Sequence, residues 1–153
     1  MPRTSAGLLP YRRRQGRLEV FLVHPGGPFW ANKDTHAWSV AKGEVEPEED
    51  LLRAAHREFF EETGLKLRGV ALPLAPARQK AGKLVYAWAI EADIEPTVVR
   101  SNSFELEWPP RSGRVQEFPE IDRAAWFELG EARSKIHMGQ VAFLSELQQK
   151  LAG

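Results

Sequence analysis

Apolar residues in this chain fall into short runs separated by turn formers, and the spacing within each run predicts its element. Ser5 to Tyr11 and Leu18 to His24 read as two strands. Val20, Phe21, Leu22 and Val23 form an unbroken apolar run, the pattern of a strand buried on both faces. Arg12, Arg13, Arg14, Gln15, Gly16 and Arg17 between them make a basic, solvated hairpin turn. His24-Pro25-Gly26-Gly27-Pro28 breaks regular structure. The loop it opens runs through Thr35, and a strand resumes over Ala37 to Ala41. Leu51, Leu52, Ala55 and Phe59 then recur three and four positions apart and predict one helix with a single apolar stripe. Pro47 suits its first position, Glu48, Glu49 and Asp50 its first turn, and Gly64 its left-handed close.

The second half is richer in strands. Val70 to Gln79 and Lys83 to Ala92 suggest a strand pair around Lys80-Ala81-Gly82. Leu84, Tyr86, Trp88 and Ile90 alternate with Val85, Ala87, Ala89 and Glu91, and both sets are largely apolar, as in a central strand covered on both sides. Ser103 to Trp108 reads as a short strand ended by Pro109-Pro110, Arg111 to Pro119 as loop, and Ala124 to Leu129 as a further strand. Glu131 to Ile136 predicts a short helix, and Met138 to Leu151 an amphipathic one through Val141, Phe143, Leu144, Leu147 and Leu151.

Composition narrows the class. A chain of 153 residues defaults to one domain, 1–153, large enough to bury a core. Basic and acidic residues number 21 each, so the basic excess usual in a protein living on nucleic acid is missing. Zero cysteine excludes disulfides, thiolate nucleophiles and Cys-ligated zinc. The stretch MPRTSAGLLPYRRRQ has no long apolar run before its arginines, and no stretch reaches the length of a membrane span. A soluble cytoplasmic protein is the simplest expectation.

The chemistry concentrates on the predicted helix. Glu58, Glu61 and Glu62 are three and four residues apart and project from one helical surface, where like charges repel. Glu62 falls beside the apolar stripe, where a carboxylate is costly without a compensating cation. Clustered oxygen ligands suit a hard divalent ion such as Mg2+, and Arg57 can orient one carboxylate through a bidentate contact. A solvated acidic helix face is the plain alternative. On the long loop, Trp30 is a candidate to stack on a nucleobase. Lys33 and Lys42 are candidates to meet phosphate. Arg78 and Lys80 share one face of a strand, where an anionic substrate and plain solvent are equally open readings. His36 and His56 have no partner at metal-ligand spacing and read as structural.

Gly43, Glu49, Arg57, Glu58, Phe59, Glu61, Glu62, Gly64 and Leu65 together resemble the signature of the Nudix hydrolases, Phe59 being aromatic where members usually carry an aliphatic residue. The order of elements is similar across nearly the whole chain. The resemblance implies an α/β fold: an α/β/α sandwich with a mixed sheet between the signature helix and a C-terminal helix. It implies Mg2+-dependent hydrolysis of a diphosphate linkage in a nucleoside diphosphate joined to another group. Glu58, Glu61 and Glu62 would hold one to three Mg2+ or Mn2+ ions, aided by the Lys42 backbone carbonyl. Glu49 would complete the ligand shell or anchor the loop, and Arg57 would orient a glutamate. Members often add an acidic residue from the loop before the last strand; Glu120 is the first choice here and Glu117 the reserve. The general base is Glu61 or Glu120. Lys42-Gly43, where many members have Gly-Gly, leans toward the dinucleoside-polyphosphate and diphosphoinositol branches. A Nudix-like module that binds a nucleotide without cleaving it is the rival, and such relatives commonly lose signature glutamates that this chain keeps. The expected partner is a small nucleotide or other pyrophosphate compound, with a nucleic-acid substrate such as an RNA cap less favoured, no membrane, and oligomeric state open.

Overall fold

The computed structural model describes residues 3–79 and 82–152. Among them the elements run β1 (Thr4–Arg14), β2 (Arg17–Pro25), β3 (Ala41–Glu44), α1 (Leu51–Thr63), β4 (Ala71–Pro73), β5 (Ala77–Arg78), β6 (Leu84–Glu91), β7 (Ser103–Glu107), β8 (Val115–Pro119), β9 (Ile121–Glu128), α2 (Leu129–Lys135) and α3 (Val141–Leu151). A seven-stranded sheet carries the path β4-β6-β1-β2-β9, with β3 also paired to β1 and β5 to β6. β1 and β6 are parallel and the other pairs antiparallel, so the sheet is mixed.

Alternation along the central strands sorts their side chains onto two faces. Leu8, Phe21 and Val23 join Ala54, Ala55 and Phe59 of α1 in one buried cluster. Leu9, Val20 and Leu22 join Ala132, Phe143, Leu144 and Leu147 of α2 and α3 in another. The result is the expected α/β/α sandwich. The aromatic Phe59 fits because Phe21 meets it with ring centroids 6.4 Å apart.

Several boundaries differ from the sequence expectation. The strand expected over Val70 to Gln79 is two short pieces, β4 and β5, and β9 and α2 each begin two or three residues earlier than expected. The helix starts at Leu51, capped by the Asp50 side chain, which accepts from the Arg53 N–H at 3.1 Å. Pro47, Glu48 and Glu49 precede it in a turn, with Glu48 at φ 64°. The Glu49 carboxylate folds back to accept from the Glu46 N–H, an anchor that competes with a place in the helix's first turn. The strand expected over Ala37 to Ala41 is β3, beginning at Ala41, while Trp38 and Ser39 make only isolated bridges to Ile136 and Val23. Arg111 to Pro119 is not all loop: Val115–Pro119 is β8, paired with β7 in a separate two-stranded sheet. Most of its side chains are exposed, so no apolar alternation announced it. Met138–Gln140 is a 3-10 turn, and α3 follows it. The Lys80-Ala81 turn, including the phosphate candidate Lys80, lies outside the described residues. No helix among the described residues is long and apolar enough to cross a membrane.

Candidate active site

Arg57 organises the acidic end of α1. Its Nε donates to Glu49 Oε2 at 2.7 Å and its Nη2 to Glu49 Oε1 at 2.9 Å, a two-pronged contact. Nη1 donates to Glu58 Oε1 at 2.9 Å and Glu61 Oε2 at 3.0 Å, while Nη2 also reaches the Glu44 carbonyl at 3.2 Å. One guanidinium thus ties the β3 end, the following loop and two helix carboxylates together. The bonds to Glu49 hold that carboxyl down to about 2 and, with Glu58, raise Arg57 above its ordinary value. Both Glu49 oxygens are engaged, by Arg57 and by the Glu46 N–H, which ties the loop to α1.

Gly43 lets Glu58 come close. A Cβ built there would stand 1.9 Å from Glu58 Oε2 and 2.1 Å from Cδ, so the carboxylate occupies the space a side chain would take. Burial pushes the Glu58 carboxyl up against the opposing pull of Arg57. Gly64 closes the helix at φ 78°, its N–H donating to the Phe60 carbonyl at 2.7 Å.

Glu62 faces a cavity of about 240 Å3, with Lys42 and Glu120 on the same wall. Burial first, then the charges of Glu120 and Glu58, push the Glu62 carboxyl up to about 7. Burial and the charge of Lys83 bring Lys42 down to about 8. Gln79, His137 and Gln140 add polar groups to the cavity lining, and Trp30 and Trp38 aromatic ones. Gln140 is itself locked: its Oε1 accepts from the Val40 N–H at 3.1 Å and its Nε2 donates to Ser39 Oγ at 3.1 Å.

The structure therefore brings together Lys42, Glu62, Glu120 and Trp30 around one cavity, with Glu58 and Glu61 beside it under Arg57. Lys33 lies outside, its ammonium 5.1 Å from the Trp30 ring centroid on the loop. Arg78 is exposed and does not line the cavity, whereas its neighbour Gln79 does. Glu117 sits opposite Glu105 on the β7–β8 hairpin, away from the cavity lining. His36 bonds the Ile136 carbonyl through Nδ1 at 2.8 Å, a structural contact. Gln79, His137, Gln140 and Lys83 carried no local motif, and only the register of β5, β6 and the turn before α3 brings them here.

Among the described residues no three carboxylates or imidazoles already stand as a ligand set for an ion. Arg57 holds Glu58 and Glu61, while burial first and neighbouring carboxylates after it raise the Glu58 and Glu62 carboxyls, so their ionised forms lack a full set of compensating partners. An all-oxygen donor set short of positive charge fits a hard divalent cation.

The profile of the NUDIX domain matches residues 1–147. The chain belongs to the Nudix family. Its match to the RNA pyrophosphohydrolase of Rhodopseudomonas palustris is 38% identical over 64 residues, 38% of this chain and 38% of that protein. Its match to the asymmetrical bis(5'-nucleosyl)-tetraphosphatase of Caenorhabditis elegans is 38% identical over 61 residues, 40% of each chain. These alignments span about two fifths of their relatives' length. Over nearly the full chain the Nudix fold is shared with a C. elegans Ap4A hydrolase binary complex, at TM-score 0.66 and 24% identity over 97% of this chain and 98% of that one. The NUDIX domain of Shewanella oneidensis NrtR complexed with ADP ribose has the same fold at TM-score 0.61 and 13% identity, covering 99% and 89% of the two chains.

Proposed function

We propose that this Nudix protein is a metal-dependent pyrophosphohydrolase that cleaves a diphosphate linkage in a nucleoside diphosphate joined to another group, with dinucleoside polyphosphates the favoured class. The observation that carries this reading is the complete set of signature glutamates, Glu58, Glu61 and Glu62 on α1 and Glu49 just ahead of it, beside a cavity lined by Glu62, Lys42 and Glu120. Glu58, Glu61, Glu62 and the Lys42 carbonyl would hold one to three Mg2+ or Mn2+ ions. Such ions, when bound, neutralise charge on phosphate oxygens and lower the pKa of a water.

The chain's own groups do the rest. Arg57 fixes the direction of Glu58 and Glu61, and Glu49 fixes Arg57. Glu120 reaches the cavity from the sheet side and stands close enough to raise Glu62, which supports it over Glu117 as the acidic residue outside the signature and as a candidate proton acceptor alongside Glu61. Attack at phosphorus needs little covalent help, so position and charge carry the step. The Lys42 side chain lines the cavity as a phosphate contact, and Trp30 offers a face to a base.

The favoured class draws on the names of the C. elegans relatives and on Lys42-Gly43. The R. palustris relative supports a second reading, hydrolysis at an RNA 5' end. Nucleotide binding without cleavage is the third reading, and the NrtR domain is a Nudix fold seen with a nucleotide compound bound. Purified protein with Mg2+ is tested against dinucleoside polyphosphates, nucleoside triphosphates, an inositol pyrophosphate and a 5'-triphosphate RNA, with released phosphate and nucleotide measured. Mg2+-dependent cleavage led by a dinucleoside polyphosphate is expected. Preference for the RNA selects the second reading, and tight binding with no cleavage of any compound selects the third.

A further inference from the structure

His24 is wholly buried at the end of β2, and nothing in the hydrolytic scheme uses it. Its Nδ1 lies 2.7 Å from Asp122 Oδ1 and its Nε2 lies 2.6 Å from the Lys33 carbonyl oxygen. Each ring nitrogen thus faces an oxygen, the carboxylate on one side and the carbonyl on the other. Its ring also meets Trp38, a cavity wall, edge to face with centroids 5.1 Å apart. One imidazole thus joins the start of β9 to the loop that carries Trp30.

The backbone around it is irregular. The β2–β9 ladder pairs His24 with Arg123 but Pro25 with Ile121, so Asp122 is an extra residue in β9. A bulge of this kind re-aims side chains, and here the Asp122 carboxylate meets the His24 ring. Just outside the bulge the Gly26 N–H donates to the Glu120 carbonyl at 2.8 Å. A Cβ on Gly26 would stand 2.0 Å from the Pro119 carbonyl oxygen, so the two segments touch backbone to backbone. The Glu120 backbone is thus held at its carbonyl by Gly26 and at its N–H by the Asn102 carbonyl, which accepts at 2.8 Å, and two residues on the chain is gripped by His24 at Asp122.

We propose that the His24–Asp122 pair is a positioning device: it stabilises the bulge that turns Glu120 toward Glu62 and, through the Lys33 carbonyl, sets the Trp30 loop against the same cavity. The inference rests on the reading of Glu120 given above. It assigns His24 and Asp122 no contact with substrate.

The test is a double-mutant cycle on Glu120→Gln and Asp122→Ala, with Asp122→Asn as the conservative variant that keeps an acceptor oxygen. Turnover, KM and thermal melting are measured with Mg2+ and the best substrate of the panel, and amide exchange is followed at Gly26. Asp122→Ala is expected to lower kcat about 10–100-fold, the usual effect of losing a supporting hydrogen bond behind a metal site. KM should change less, Asp122→Asn should restore most of the rate, and Gly26 exchange should quicken. On the Glu120→Gln background Asp122→Ala should cost nothing further, because the group it positions is already disabled. Wild-type kcat in Asp122→Ala, unchanged Gly26 exchange, or an equal loss on both backgrounds overturns the proposal. Full activity of Glu120→Gln alone overturns the reading of Glu120 and the positioning role with it, and that single variant separates the two failures. If Asp122→Ala does not fold, His24→Gln is put through the same cycle under the same criteria.

Discussion

Gly43→Ala tests the close approach on which the carboxylate cluster depends. The new methyl would fall 1.9 Å from Glu58 Oε2, 2.1 Å from Cδ and 2.6 Å from Oε1. Two responses are open. Glu58 swings away, surrendering its 2.9 Å bond from Arg57, or β3 retreats and strains the ladder in which Gly43 faces Ala6. The carboxylate is the far end of a flexible side chain, so the first response is the cheaper. A hydrogen bond to a charged group is worth about 1.5–3 kcal/mol, and a domain of this size loses about 2–4 °C of Tm per kcal/mol. The melting midpoint should fall by about 3–12 °C, and turnover by tenfold or more because Glu58 no longer stands beside Glu61 and Glu62. Thermal melting followed by circular dichroism, and steady-state hydrolysis with Mg2+, measure the two effects. Gly130→Ala is the control, since a Cβ there meets nothing within 4 Å and should shift stability by no more than about 1 kcal/mol. A Gly43→Ala protein with unchanged Tm and full turnover refutes the close contact.

Glu61→Gln should reduce turnover by orders of magnitude with the fold intact by circular dichroism, and near-normal activity in it and in Glu62→Gln would exclude the proposed mechanism. Arg57→Lys replaces a fork with a point charge that cannot grip both Glu49 oxygens, so kcat should fall about 10–100-fold even though charge is conserved. Glu62 ties stability to pH: its carboxyl, raised from 4.5 to about 7, favours the protonated folded state, so metal-free stability falls as pH climbs through that range. At about 1.4 kcal/mol per tenfold change in proton affinity the whole shift is worth about 3 kcal/mol, so Glu62→Gln should be about 1–3 kcal/mol more stable than wild type at pH 8 with chelator and nearly equal at pH 4. Urea melts at the two pH values decide it. The same proton competes with a cation, so Mn2+ affinity measured by calorimetry should weaken as pH drops below about 7, and a flat profile would remove Glu62 from the ligand set.

The parts of the site that were legible in sequence are those held within one stretch of chain. Helical periodicity alone places Glu58, Glu61 and Glu62 on one surface and Phe59 on the adjoining, buried one, with Glu62 at the border between them. The unbroken Val20–Val23 run and the doubly apolar Leu84–Ile90 run stated their own two-sided burial, and with it the helices on both faces. β8 escaped because its pairing with β7 is a backbone matter that exposed side chains do not report. The start of α1 escaped because Glu49 is claimed by Arg57 and the Glu46 N–H, a contact that outweighs the dipole's preference for acid in the first turn.

His24 shows the limit most sharply. In sequence it is one more residue ahead of a Pro-Gly-Gly-Pro breaker, and the two histidines weighed for metal binding were His36 and His56. Its partners lie far along the chain at Asp122 and across the loop at Lys33, and the first of these depends on a single extra residue in β9. A one-residue bulge leaves no mark in hydrophobic periodicity, yet it decides which way Glu120 and Asp122 face. The two halves of the site are thus specified by different physics. The helix carboxylates follow from local geometry and hold their relative positions as long as α1 is intact. Glu120 depends on a strand register fixed by a buried ring and on backbone contacts at Gly26 and Asn102. Damage to the register should therefore silence Glu120 while leaving Arg57, Glu58 and Glu61 in place, and the metal-binding and turnover defects of Asp122→Ala should separate where those of Gly43→Ala coincide.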